Sequence, residues 1–247
     1  ILFKPMKTAG SSVEKALFPF LSEEALCSGG VDSYSQTVEY PDLNNEFKEG
    51  GYIYTRFHQH TSPSFFYKTI KNSNIFDHYK KITIVRNPWE VCLSYYWYNL
   101  ALSEKDPTLV KSAHKIKPGM SKSKVRKIVS KYFSHHALII NQDSMLDKDP
   151  ILETTPLDFL ANTNESFVND TISCYLRHEN LSSDFESLCK ELDITPVPEL
   201  PRLKSVKKPI KRHYSWFFDN YTKTLVEKAF PKTIEKFGYK FERRSSK

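Results

Sequence analysis

Three clusters of residues in this chain have the types and spacing to do chemistry. The first lies at its start, in ILFKPMKTAGSSVEKAL. An apolar run leads directly into Lys7, Thr8, Gly10, Ser11 and Ser12, and then into a helical pattern. Backbone N–H groups at a helix start are unpaired, and the helix dipole favours negative charge there. Gly10 lets the backbone approach closely, the hydroxyls add donors, and Lys7 adds a positive charge, so this join suits an anion. The competing reading is an ordinary helix cap, with Ser11 as N-cap and Glu14 completing a capping box.

The second cluster is ITIVRNPWEVCLSYY. Arg86 closes a strand-like apolar run, and Ser94 follows eight residues later, two turns into the next helical pattern. Open α/β sheets bind ligands at the carboxyl ends of their strands, and a guanidinium with a hydroxyl nearby suits a phosphate. The alternative is that Arg86 pairs with a structural carboxylate. The third cluster is FHQHTS, where His58 and His60 follow a second strand-like run and share a face if the backbone is extended. An imidazole is the natural proton acceptor near neutral pH.

These clusters need elements to hold them. Apolar β-branched runs alternate with helical patterns, which predicts an α/β fold: a central, mainly parallel sheet covered by helices in three α/β/α layers. Strands are expected at Ile1–Lys4, Tyr52–Phe57, Lys81–Arg86 and Thr171–Arg177. Helices are expected from about Ser12 to Leu21, from Pro88 to Leu102, after Asn180 as N-cap, and over Tyr214–Phe230, with Gly238 closing the segment that follows. The polar stretch from Cys27 to Gly51 reads as loop. A single domain over residues 1–247 is the simplest organisation.

Composition narrows the class. With 39% hydrophobic residues the chain is globular, and no apolar run approaches the roughly 20 residues of a membrane span. It shows no signal peptide and begins within an apparent strand without a Met. The cytoplasm is therefore the expected compartment, with the Golgi lumen as the alternative if an anchor preceded residue 1. Cys27, Cys92, Cys174 and Cys189 lack CxxC spacing, so reduced, mostly buried thiols are expected and no metal site is suggested. The net charge of +7 implies a liking for anions. From Pro107 to Gln142 there are eight Lys or Arg and no Asp or Glu, and a second basic run spans Arg202–Tyr214.

The clusters together resemble the sulfotransferases, most nearly the carbohydrate-type group that includes Golgi polysaccharide enzymes and bacterial relatives. MKTAGSSVE, FHQHTS and ITIVRNPWEVCLSYY carry the likeness, and RHENLSSDFESLCKELDI and YTKTLVEKAFPKTIEKFGYKF extend it in the same order. The resemblance implies a P-loop-like sulfotransferase fold and 3′-phosphoadenosine 5′-phosphosulfate as donor. Lys7, Thr8, Ala9, Gly10, Ser11 and Ser12 would then surround the 5′-phosphosulfate. Arg86 and Ser94 would hold the 3′-phosphate. A late basic loop at Lys204, Ser205, Lys207 and Lys208 would close over the nucleotide. His60, followed by Thr61 and 26 residues before Arg86, fits the family's base better than His58. One departure is Met6, which stands where the family has Pro. The middle, about 101–165, matches nothing in the family and is where acceptor specificity is expected. The acceptor would be a saccharide or another hydroxyl compound, with a small-molecule alcohol or amine as the alternative.

Two other classes are weaker fits. A P-loop kinase would carry GxxxxGK[ST] and a strand-end Asp for magnesium, and this chain has neither. A polyanion-binding module is suggested by the basic runs alone, without any nucleic-acid recognition signature.

Overall fold

The computed structural model describes residues 1–21, 60–70, 77–105, 107, 110–135, 137–138, 153–203 and 205–243. The expected strand at Tyr52–Phe57, the loop from Cys27 to Gly51, His58 and Lys204 lie outside them. By its contacts the chain divides into two compact units.

The first unit comprises residues 1–85, 142–148 and 166–204 and is a mixed α/β assembly. Strands β1 (Leu2–Phe3), β2 (Ile82–Val85) and β5 (Cys174–Arg177) form a parallel sheet in the order β1-β2-β5. The register pairs Leu2 with Ile82, Ile82 with Cys174 and Val85 with Arg177. Every residue of β2 is buried, as a central strand covered on both faces requires. Side chains alternate between the faces. Ile82, Ile84 and Leu176 pack against Val13, Ala16 and Leu17 of α1 (Gly10–Leu17) and against Phe185, Leu188 and Cys189 of a later helix, Leu181–Glu191. Phe3 faces the other way. It meets Phe167, and meets Phe66 of α2 (Pro63–Ile70) edge-on at 5.6 Å.

The second unit, residues 86–141, 149–165 and 205–247, is mainly helical among its described residues. At its centre is α3 (Pro88–Leu102), buried on nearly every side, as an all-round apolar helix must be. Around it lie α4 (Lys122–Ser134), α5 (Pro156–Glu165), α7 (Asn220–Ala229) and α8 (Pro231–Phe237), with the Leu181–Glu191 helix of the first unit taking the label α6. A short antiparallel pair, β3 (Ala137–Leu138) and β4 (Glu153–Thr154), adjoins them. Polar groups pin α3. The Asn87 side chain accepts the N–H groups of Trp89 and Glu90, the Asn99 amide donates to the Tyr132 hydroxyl, and Tyr96 donates to the His114 carbonyl.

Several expected boundaries are corrected. Helix α1 begins at Gly10 rather than Ser12 and ends at Leu17, with Pro19 in a 3₁₀ turn over Phe18–Phe20. Asn180 stands at the N-cap of α6, but its side chain makes no capping bond. The stretch expected as one helix over Tyr214–Phe230 is a 3₁₀ turn at Tyr214–Trp216 followed by α7, which Asp219 caps through Thr222. Pro231 then opens α8, whose first turn donates the N–H groups of Lys232 and Thr233 to the buried Glu165 carboxylate. Helices α2, α4 and α5 were not anticipated.

Candidate functional site

The join between β1 and α1 has unusual backbone. Lys7 and Ala9 both adopt left-handed conformations, with φ of 61° and 76°. Such non-glycine residues carry strain and cluster at functional turns. Left-handed residues within a turn are also how successive N–H groups come to line an anion-binding concavity. Ala9 is the N-cap residue of α1, and its carbonyl accepts the N–H groups of Ser12 and Val13. Among the described residues no side chain caps the helix. The capping box expected as the competing reading is therefore absent: Ser11 lies inside the helix, and Glu14 forms an ion pair with Lys4 instead.

That ion pair shapes the turn. Lys4 is 6% exposed, and its Cβ and Cγ lie where a side chain on Gly10 would be, 2.8 and 3.0 Å from an ideal Cβ. Gly10 is thus needed for the close approach of the helix start to Lys4. Thr8, 2% exposed, donates its hydroxyl to the Pro5 carbonyl, so that group holds the turn rather than facing outward. Ser12 is also buried, and its hydroxyl accepts the N–H of Leu203 at 3.4 Å. This bond ties the chain entering the late basic segment to the first turn of α1. Ser11 and Lys7 are half-buried.

His60 belongs to the same unit. Its Nδ1 lies 2.6 Å from the Lys4 carbonyl. A carbonyl only accepts, so Nδ1 carries the proton and Nε2 holds the lone pair of the neutral ring. The structure therefore brings together the turn Lys7–Ser12, His60 and the start of the late basic segment.

Arg86 and Ser94 fall in the second unit, with Ser205, Lys207 and Lys208. Arg86 follows β2 directly, and Asn87 caps α3 behind it. Its Nε and Nη2 both donate to Oε2 of Glu90, at 3.2 and 3.0 Å. The carboxylate partner considered for Arg86 thus exists, one helical turn away. It could have been read from the spacing of four between Arg86 and Glu90. Ser94 is half-buried within α3, and Ser205, Lys207 and Lys208 are exposed. Comparisons with models of protein families, with curated proteins and with solved structures find no match.

Among the described residues no cluster of His, Cys, Asp or Glu is placed to hold a metal ion. Nor is any described helix long and apolar enough to cross a membrane. Cys92 and Cys189 are buried, and burial pushes both thiols up from their ordinary pKa, which suits packing rather than nucleophilic use.

Proposed function

We propose that the protein is a sulfotransferase of P-loop-like fold, moving a sulfuryl group from 3′-phosphoadenosine 5′-phosphosulfate to a saccharide hydroxyl. The observation that carries this reading is the start of α1. A parallel strand runs into a left-handed turn with Lys7 in it, then into a helix whose N-terminus no described side chain caps. A phosphate or sulfate group supplies what such a terminus lacks. Open α/β sheets bind ligands beyond the carboxyl ends of their strands, and the turn with Lys7 follows β1 in the chain as Arg86 follows β2.

In the proposed reaction the acceptor oxygen attacks sulfur in line as the bond from sulfur to the bridging phosphate oxygen breaks. Nε2 of His60 takes the acceptor proton, with its tautomer fixed by the Lys4 carbonyl. The Lys7 ammonium stabilises charge on the departing phosphate, and turn N–H groups hold the non-bridging oxygens. The products are a sulfate ester and 3′-phosphoadenosine 5′-phosphate.

Calorimetric titration tests this. The wild type should bind 3′-phosphoadenosine 5′-phosphate one to two orders of magnitude more tightly than adenosine 5′-phosphate, since a charge-assisted contact is worth about 1.5–3 kcal/mol. Arg86→Ala should erase that preference. His60→Ala should retain it while lowering kcat by about 10²-fold or more. A wild type that does not distinguish the two nucleotides ends the sulfotransferase reading.

A further inference from the structure

Behind the proposed base lies an ion pair that stability alone does not explain. Lys4 and Glu14 are 6% and 12% exposed, and the ammonium donates to Oε1 of the carboxylate within the first unit. Apolar side chains of similar volume would fill that space at little or no loss, because the attraction between buried charges scarcely exceeds the cost of desolvating them. What sets Lys4 apart is its backbone. Its carbonyl is the acceptor that Nδ1 of His60 meets at 2.6 Å. Lys4 therefore serves two partners, Glu14 of α1 through its side chain and His60 through its main chain.

Several restraints converge on this residue. Pro5 follows it, and the residue before a proline is pushed towards extended backbone. The Pro5 carbonyl is itself held by the buried Thr8 hydroxyl. Gly10 leaves room at the start of α1 for the Lys4 stem and for little else. Glu14 then holds the far end of the side chain. Without that carboxylate the ammonium would be a buried charge with its ion-pair partner removed. The relief open to it is a shift of residue 4 towards solvent, which carries the carbonyl away from the imidazole.

We infer that Glu14 is a positioning residue for the proposed base: by opposing the charge of Lys4, it keeps the Lys4 carbonyl on Nδ1 of His60 and the Nε2 lone pair available to the acceptor. The role of His60 rests on the sulfotransferase reading, whereas the link from Glu14 to the ring does not. Bases are commonly oriented by a second group. Here that group is a backbone carbonyl, and the ion pair of the same residue stands behind it.

The test is the tautomer of His60, read from the side-chain ¹⁵N shifts of the full chain at about pH 8, where imidazoles are neutral. His60→Gln assigns the resonance. The wild type should show Nδ1–H. Glu14→Ala should lower the ratio of Nδ1–H to Nε2–H about fivefold or more, as loss of one hydrogen bond implies. Lys4→Met/Glu14→Leu, which leaves no charge to oppose, should restore the wild-type ratio. Val13→Ala, which removes core contacts between α1 and the sheet, should leave it unchanged. Thermal melting confirms that each variant is folded; should Glu14→Ala not melt cooperatively, Glu14→Gln, which removes only the charge, takes its place. In sulfate transfer to desulfated heparin, Glu14→Ala should lower kcat about tenfold or more, and change affinity for 3′-phosphoadenosine 5′-phosphate less than about threefold. An unchanged tautomer ratio in Glu14→Ala overturns the inference, as does a kcat that holds while the ratio falls. So does a ratio that the double variant fails to restore or that Val13→Ala lowers equally, since either outcome means a general loosening of α1. A wild type with neither transfer nor nucleotide preference ends the sulfotransferase reading instead, and the tautomer ratios still decide the link from Glu14 to the ring.

Discussion

Under the proposed reading, Arg86 has to give up its pair with Glu90 to hold a phosphate. The pair with Glu90 is partly exposed, 15% for the arginine side chain and 33% for the glutamate, so it is screened and contributes about 1 kcal/mol or less. A 3′-phosphate carries more charge than a carboxylate and can displace it. Glu90→Gln should therefore tighten binding of 3′-phosphoadenosine 5′-phosphate about two- to fivefold by calorimetry, and barely alter that of adenosine 5′-phosphate. Weaker binding in that variant would mean that Glu90 braces the guanidinium instead of competing for it. Residues of this kind are legible in sequence because a lysine, a strand-end arginine and paired histidines are recognised by type. Their partners are less so. Glu14 sits three residues after Ser11, as a capping box requires, yet it pairs with Lys4, because the buried ammonium needs an opposite charge more than the helix needs a cap.

Helix α1 shows how an element's boundary follows from one small residue. Gly10 allows the helix to begin two residues before the expected start, pressed against the Lys4 stem. Lys4 is held by Glu14 and cannot swing aside. Gly10→Ala should thus cost about 1–3 kcal/mol in denaturant unfolding and weaken nucleotide binding at the turn. Ser11→Ala, which removes no capping bond, should change stability by less than about 0.5 kcal/mol. A larger loss for Ser11 than for Gly10 would restore the capping box. Other elements were hidden for different reasons. In α4 the buried residues Val125, Ile128, Val129, Tyr132 and Phe133 have helical spacing, but the lysines between them drew attention to charge rather than period. The break between α7 and α8 was signalled by Pro231, whose place at a helix start fits either a terminus or a new helix. Strand β2 was legible because four consecutive buried apolar or β-branched residues have few other uses in a chain flanked by helices.

For the molecule as a whole, a buried histidine sets a lower limit on the pH at which the fold is comfortable. His114 is 5% exposed, its Nε2 has no hydrogen-bond partner among the described residues, and it stands near Tyr132 and His135. Burial first, then the charges of Lys131, His135 and Lys111, hold its pKa below the ordinary value of 6.5. Above that value both folded and unfolded chains carry the neutral ring. As pH falls through it, the unfolded chain binds a proton that the folded one refuses, so stability declines. The drop in Tm between pH 7.5 and 5.5 should be smaller in His114→Leu than in the wild type. Equal drops would place the acid sensitivity elsewhere. Nothing in the sequence marked this residue. It lies in a basic run that reads as surface, and only the packing of α4 and Tyr96 around residues 114–116 reveals it as interior.

The bond from Leu203 to Ser12 spans 191 residues, and among the described strands β1 pairs with β2, about 80 residues further along the chain. Such a turn is assembled from distant parts and late in time. While the chain is being synthesised, the first strand must wait for the second, and the first turn of α1 must wait for almost everything else. Long-range parallel pairing of this kind slows folding, because loop closure has to precede any compensating contact. The segment that opens the sequence is therefore among the last to reach its final form.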